Sequence, residues 1–180
     1  MMKFREEAKS AAKRLKLMAF DVDGVLTEGS LYYTDSGIEI KAFNGHDGVG
    51  LRMLQRAGIS LAIITGRNSL CVEKRMKDLD IEHVFQGIDN KLEVMQSLLS
   101  KLGLSPDEAG YMGDDIVDLQ VLDVCGFAAA PADCQERVKN YVQVISSKGG
   151  GRGAVREICE FILDARGDLE AALLPYLPER

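Results

Sequence analysis

The chain has 180 residues, room for a single domain with a sizeable core, and carries 46% hydrophobic and 28% charged residues with a formal net charge of −6. No apolar run approaches the ~20 residues of a membrane span, and no basic run resembles a nucleic-acid patch, so membrane and nucleic-acid partners are not expected. The opening MMKFREEAKSAAKRLK is charged and lacks an apolar signal core, which predicts a cytoplasmic protein. Four cysteines without CxxC spacing, Cys71, Cys125, Cys134 and Cys159, then read as reduced thiols.

Along the chain, LKLMAF reads as a buried strand that stops at Asp21. GSLYYTDSGIEIKAF follows, with two short β-rich runs around TDSG. This predicts a β-hairpin insertion over about 29–43, placed as a flap beside the first strand's acidic end. DGVGLRMLQRAG reads as a helix ended by Gly58. SLAIIT is a second strand, ending at Thr65, and NSLCVEKRMKDL a second helix. NKLEVMQSLLSKLG is a third helix, with Asn90 three residues before Glu93 as a start signal and Gly103 as a stop. AGYMG leads to Asp114, and DDIVDLQVLDVCG reads as a helix. GFAAA runs to Pro131 and YVQVI to Ser146 as two more strands, before the helix GAVREICEFILDARG. GDLEAALLPYLPER, in a tail over about 166–180, reads as a short amphipathic helix and an end segment. Short continuous apolar runs alternating with helices predict an α/β fold. It is a Rossmann-like parallel sheet with helices on both faces, in one domain spanning 1–180.

In such a sheet, ligands bind outside the carboxyl ends of the strands. The predicted strands deliver Asp21 and Asp23, then Thr65, then Asp114 and Asp115 to that edge, and Lys91 opens a helix nearby. Four clustered carboxylates are unfavourable without a cation, and a hard divalent ion such as Mg²⁺ suits oxygen ligands. A hydroxyl and an ammonium group then remain for phosphate oxygens. One aspartate can attack phosphorus while its neighbour protonates the leaving alkoxide and later activates water. Two carboxylates one residue apart supply both roles from one strand end. Gly24 permits a tight turn beside the phosphate. TGRN after the second strand offers backbone N–H groups, Gly66 among them, as an anion site.

DVDGVLT, IITGR, DNKLEV and GDDIVD together resemble the four motifs of the haloacid dehalogenase superfamily. The resemblance implies a minimal-cap member in which Asp21 is the nucleophile and Asp23 the acid/base. It also implies phosphate binding by Thr65 and Lys91, and Mg²⁺ held by Asp21, the main-chain carbonyl of Asp23, and Asp114. Asp115 is expected to act through water or through a contact behind the ligands, and Asp118 to orient the loop. The hairpin segment, FNGHDGVGLRML, QGIDNKLEV and GGGRGAVREICEFIL narrow the likeness to the 3-deoxy-D-manno-octulosonate 8-phosphate phosphatases over roughly residues 15–165. That family is tetrameric through its hairpins, which implies a homotetramer here and a place in lipopolysaccharide precursor synthesis. Arg67 and Arg152 are candidates for substrate carboxylate or phosphate, Arg152 from a glycine run able to reach a neighbour's site. His46 stands where the family commonly has arginine, which leaves a nine-carbon keto-sugar acid phosphate or a broader sugar-phosphate range as alternative substrates. A signalling receiver domain also gathers aspartates, threonine, lysine and Mg²⁺. Its phosphorylated aspartate, however, lies on a later strand than its acidic pair, an order this chain does not have.

Overall fold

The computed structural model describes residues 1–178. Its strands are β1 (Lys3–Phe4), β2 (Leu17–Phe20), β3 (Tyr32–Tyr33), β4 (Glu39–Ile40), β5 (Ser60–Ile64), β6 (His83–Phe85), β7 (Ala109–Met112), β8 (Phe127–Ala130) and β9 (Val144–Ile145). Its α-helices are α1 (Ala8–Arg14), α2 (Gly45–Arg56), α3 (Leu70–Asp78), α4 (Lys91–Leu102), α5 (Leu119–Val124), α6 (Ala154–Arg166) and α7 (Leu169–Leu173).

Seven strands form one sheet in the order β1-β9-β8-β7-β2-β5-β6. Every pairing is parallel except β1 with β9. The alternation of side chains across β2 explains the two-faced cover. Met18 and Phe20 point into a core built with α1, α2, α3 and α6, while Leu17 and Ala19 point into a second core with α4 and α5. All four β2 residues are buried, as a central strand covered on both faces requires. The chain leaves β2 for β5 on one side and later returns to β7 on the other. The strand order therefore reverses at β2, and a crevice opens at its carboxyl end.

The sequence expectations hold for this framework and differ at its margins. β1, α1 and β6 lie where no element is expected. β1 and β6 are only two and three residues long, and α1 buries just the small face Ala8, Ala11 and Ala12. The run YVQVI is a strand only at Val144–Ile145, because a 3₁₀ turn over Val138–Asn140 precedes it. The helix expected from Asp114 begins as a 3₁₀ turn at Ile116–Asp118 and becomes α-helical only at Leu119. There the Asp118 carboxylate accepts the N–H groups of Asp114 and Asp115 at 3.0 and 3.3 Å and draws the turn tight. The tail forms α7 and a 3₁₀ turn at Leu174–Tyr176, and its residues 179–180 lie outside the described residues.

β3 and β4 form a separate antiparallel hairpin, with Tyr32 opposite Ile40 and Tyr33 opposite Glu39. It leaves the chain between β2 and α2, beside the crevice. No larger insertion interrupts the sheet there, in keeping with the minimal cap expected. Two glycines weld the turn after β2 to its surroundings. Gly24 has φ +90°, and a Cβ on it would lie 2.1 Å from Asp114 Oδ2, so the carboxyl occupies the space a side chain would need. Gly150 packs so closely that its Cβ would lie 1.8 Å from the Gly24 carbonyl oxygen.

Candidate functional site

Asp21, Asp23, Thr65, Gly66, Arg67, Lys91, Asp114 and Asp115 line one cleft of about 450 Å³, with Gly29, Leu31, Ile88, Asp89 and Val117 completing the wall. The framework explains the convergence. β2 ends at Phe20 and hands on Asp21; β5 ends at Ile64 and hands on Thr65; β7 ends at Met112, two residues before Asp114. Parallel pairing in register puts all three ends at one edge of the sheet. Lys91 is the first residue of α4, whose start is fixed by the Asn90 side chain accepting the Glu93 N–H at 3.2 Å.

Lys91 is buried, with 4% of its side chain exposed, and its ammonium lies 2.8 Å from Asp21 Oδ2 and 2.6 Å from Asp118 Oδ1. Burial opposes its charge, but the two carboxylates outweigh burial and hold its pKa above the ordinary lysine value. Asp118 is fully buried and saturated. Its Oδ1 also accepts the Tyr111 hydroxyl at 3.0 Å, while Oδ2 takes the two backbone N–H groups of the Asp114 loop. The expected loop-orienting role of Asp118 is visible in these bonds. Tyr111 donates in the fully buried floor of the site, and burial together with the Asp118 charge pushes its phenol well above the usual value.

Asp21 accepts the Val22 N–H at 2.7 Å, and burial first, then the Asp118 charge, push its pKa up to about 6 against the pull of Lys91. Asp114 is pushed further, to about 8, by burial and by the charges of Asp21, Asp118 and Asp115. Its Oδ1 is buried with no hydrogen-bond partner. One carboxylate oxygen from each of Asp21, Asp114 and Asp118 lies within 4.8 Å of the others. Of these three, Asp118 is already spoken for and Asp114 is not. An oxygen-only cluster with an orphaned buried acceptor fits a small hard cation. Asp115 faces the cleft and also caps its own turn, accepting the Ile116 N–H at 2.7 Å.

Asp23 sits at the rim. Its Oδ1 is ion-paired with Lys41, whose side chain is only 2% exposed, and its Oδ2 lies 3.9 Å from Arg67 Nε. Arg67 lines the cleft, yet its guanidinium donates to the Tyr33 hydroxyl at 2.6 Å and to Glu39 at 2.9 Å, so it is tied to the hairpin. Arg152 is not part of this cleft in the chain. It is exposed and donates to Glu28 at 2.7 Å. His46 is exposed in the first turn of α2, with its N–H taken by Asn44 at 2.8 Å, and does not line the cleft. Sequence reasoning misses Lys41, Glu39 and Tyr111. Lys41 and Glu39 sit in the alternating hairpin run IEIK and Tyr111 in the apolar run AGYM, and neither pattern marks a site.

Residues 31–126 match the sequence model of the haloacid dehalogenase-like hydrolases, and the chain belongs to that family. Its relatives narrow the class. The 3-deoxy-D-manno-octulosonate 8-phosphate phosphatase of Escherichia coli K12 is 42% identical over 161 residues, 89% of this chain and 86% of that protein. The Moraxella catarrhalis phosphatase of the same name, solved with a magnesium ion, a phosphate ion and KDO, matches with a TM-score of 0.93 at 42% identity. That match covers 95% of this chain and 98% of that one. The cobalt-bound phosphatase from Haemophilus influenzae matches with a TM-score of 0.87 at 37% identity, over 91% and 99% of the two chains.

Replacing Lys91 by methionine leaves Asp21 and Asp118 facing each other without a cation. Loss of one partner of a buried ion pair is expected to cost about 3–5 kcal/mol near neutral pH. Without the pull of Lys91, Asp21 takes up its proton above the parent's value of about 6, so the loss should shrink as the pH falls toward 6. Urea unfolding of Lys91→Met at pH 7.5 and pH 5 checks both points; equal losses at the two values contradict the ion-pair account.

Proposed function

We propose that the chain is a magnesium-dependent phosphomonoesterase that hydrolyses 3-deoxy-D-manno-octulosonate 8-phosphate to the free sugar acid and inorganic phosphate, a step in lipopolysaccharide precursor synthesis. The observation that carries the reading is the cleft in which Lys91 lies 2.8 Å from Asp21 while the buried Asp114 Oδ1 has no partner. The similarity to phosphatases of that substrate over most of the chain supplies the sugar acid.

The carboxylates of Asp21 and Asp114, with the main-chain carbonyl of Asp23, are the group that would hold Mg²⁺. When bound, the ion offsets the charge of these carboxylates and of the phosphoryl oxygens. The chain's own residues carry the steps. Asp21 attacks phosphorus as the bond from phosphorus to the sugar oxygen breaks, and Asp23 gives that oxygen its proton. The product on Asp21 is an aspartyl phosphate. Asp23, now a carboxylate, takes a proton from water as the water attacks the same phosphorus, which frees phosphate and Asp21. Thr65 and the Gly66 N–H hold phosphoryl oxygens, and the Lys91 ammonium neutralises them as charge shifts. Arg67 reads the substrate's carboxylate or phosphate from the wall of the cleft.

The hairpin supports a homotetramer. Leu31, Tyr32, Tyr33, Ile38 and Ile40 are each about half exposed, which in an isolated hairpin leaves an apolar edge uncovered. A closed symmetric assembly covers it and brings Arg152 within reach of a neighbour's cleft. No helix among the described residues is long and apolar enough to cross a membrane, and we read the chain as cytoplasmic.

Phosphate release from 3-deoxy-D-manno-octulosonate 8-phosphate is expected with Mg²⁺ and not after chelation. Asp21→Asn should lower kcat by at least about a thousandfold; turnover near the parent rate removes Asp21 as nucleophile. Because metal-free Asp114 holds its proton up to about pH 8, Mg²⁺ uptake at pH 7 should expel about one proton, and affinity should rise with pH until about 8. Calorimetry in buffers of different ionisation enthalpy reads the proton directly, and uptake without release excludes Asp114 as a ligand. Sedimentation velocity should find four subunits in the parent and fewer in the double variant Ile38→Lys, Ile40→Lys. A tetramer that survives both charges places its interface elsewhere.

A further inference from the structure

The hairpin sends one cation back into the site. Lys41 follows β4 directly, and its side chain is 2% exposed, so it is shielded from solvent and does not line the cleft. It is ion-paired with Asp23 Oδ1 and lies 3.4 Å from Glu39 Oε1. Glu39 in turn accepts from Arg67 at 2.9 Å, which stands 3.9 Å from the other Asp23 oxygen. Asp21 and Asp118 each accept backbone N–H groups, and Asp115 accepts one as well. The Asp23 carboxylate accepts none among the described residues. What fixes its direction is the hairpin lysine.

We infer that Lys41 is a positioning residue that clamps Asp23 Oδ1 and so presents Oδ2 to the oxygen of the leaving group. This rests on the assignment of Asp23 as the general acid. As the phosphorus–oxygen bond breaks, the proton on Oδ2 passes to the departing oxygen. The electron pair left on the carboxylate then faces the Lys41 ammonium across Oδ1. Lys41 itself touches neither substrate nor phosphorus. It acts through Asp23, and its burial removes the water that would otherwise compete for Oδ1. A general acid contributes about 10²–10⁴-fold when it is aimed within hydrogen-bond reach, so a loss of aim shows in rate.

The test varies the need for a proton while leaving sugar recognition out. Phenyl phosphate departs as a phenol whose pKa of about 10 makes protonation valuable. p-Nitrophenyl phosphate releases a far more acidic phenol that leaves readily without a proton. The measured quantity is kcat/KM, which covers the steps through departure of the first product and omits hydrolysis of the aspartyl phosphate. Lys41→Met is expected to lower kcat/KM for phenyl phosphate at least about tenfold more than for p-nitrophenyl phosphate, a part of what the acid supplies. Lys41→Gln, which keeps a polar tip at the buried position, is measured alongside so that the comparison does not depend on methionine being tolerated there. Asp23→Asn is the reference and should show the same skew or a larger one. Equal losses on both esters in the Lys41 variants, with a skew in Asp23→Asn, overturn the inference and leave Asp23 as the acid. No skew in Asp23→Asn overturns both.

Discussion

The site depends on a buried ammonium held between two buried carboxylates. Lys91 sits 2.8 Å from Asp21 and 2.6 Å from Asp118, and its charge offsets both carboxylates in an interior where an unpaired charge is costly. The arrangement sorts the acids by task. Asp118 spends both oxygens on Lys91, Tyr111 and two backbone N–H groups, and becomes part of the scaffold. Asp21 keeps a partly compensated carboxylate at the strand end. Asp114 is pushed up to about 8 by burial and by the charges of Asp21, Asp118 and Asp115, and its Oδ1 is buried with no hydrogen-bond partner. Three groups with the same chemistry thus differ through burial and neighbours.

A second set of ties crosses from the hairpin to the same edge. Lys41 reaches Asp23, and Arg67 reaches back from the end of β5 to Tyr33 and Glu39. The deep ties are enclosed by the sheet and α4. The outer ones join the core domain to an insertion that has no hydrogen bond to the main sheet. Arg67 is the open member of the outer set, with 43% of its side chain exposed while it engages the hairpin.

The strand ends are readable from sequence because each closes a short apolar run with a polar residue. LKLMAF before Asp21 and SLAII before Thr65 are patterns that only a buried parallel sheet explains well. The start of α4 is readable too, since a capping asparagine announces itself locally. β1 and β6 are too short to carry a period, and α1 buries alanines that propensity alone cannot orient. The break at Ile116–Asp118 is hidden because its cause, an aspartate bonding backward to two N–H groups, competes with helix at a scale that apolar spacing does not register. Arg152, expected to reach a neighbour's site from a glycine-rich run, donates to Glu28 within its own chain. Lys41 is invisible for the opposite reason: 18 residues separate it from Asp23, and hairpin alternation accounts for it without any chemistry.

The contact between Gly150 and the Gly24 carbonyl joins a late segment of the chain to the turn that follows Asp21 and Asp23. A variant that adds even a methyl group there forces the turn beside Asp23 to shift, although it removes no carboxylate. Inherited changes in the glycine run therefore belong with those at the aspartates when strains are compared for loss of the activity, although a ranking by chemical type would file them as harmless.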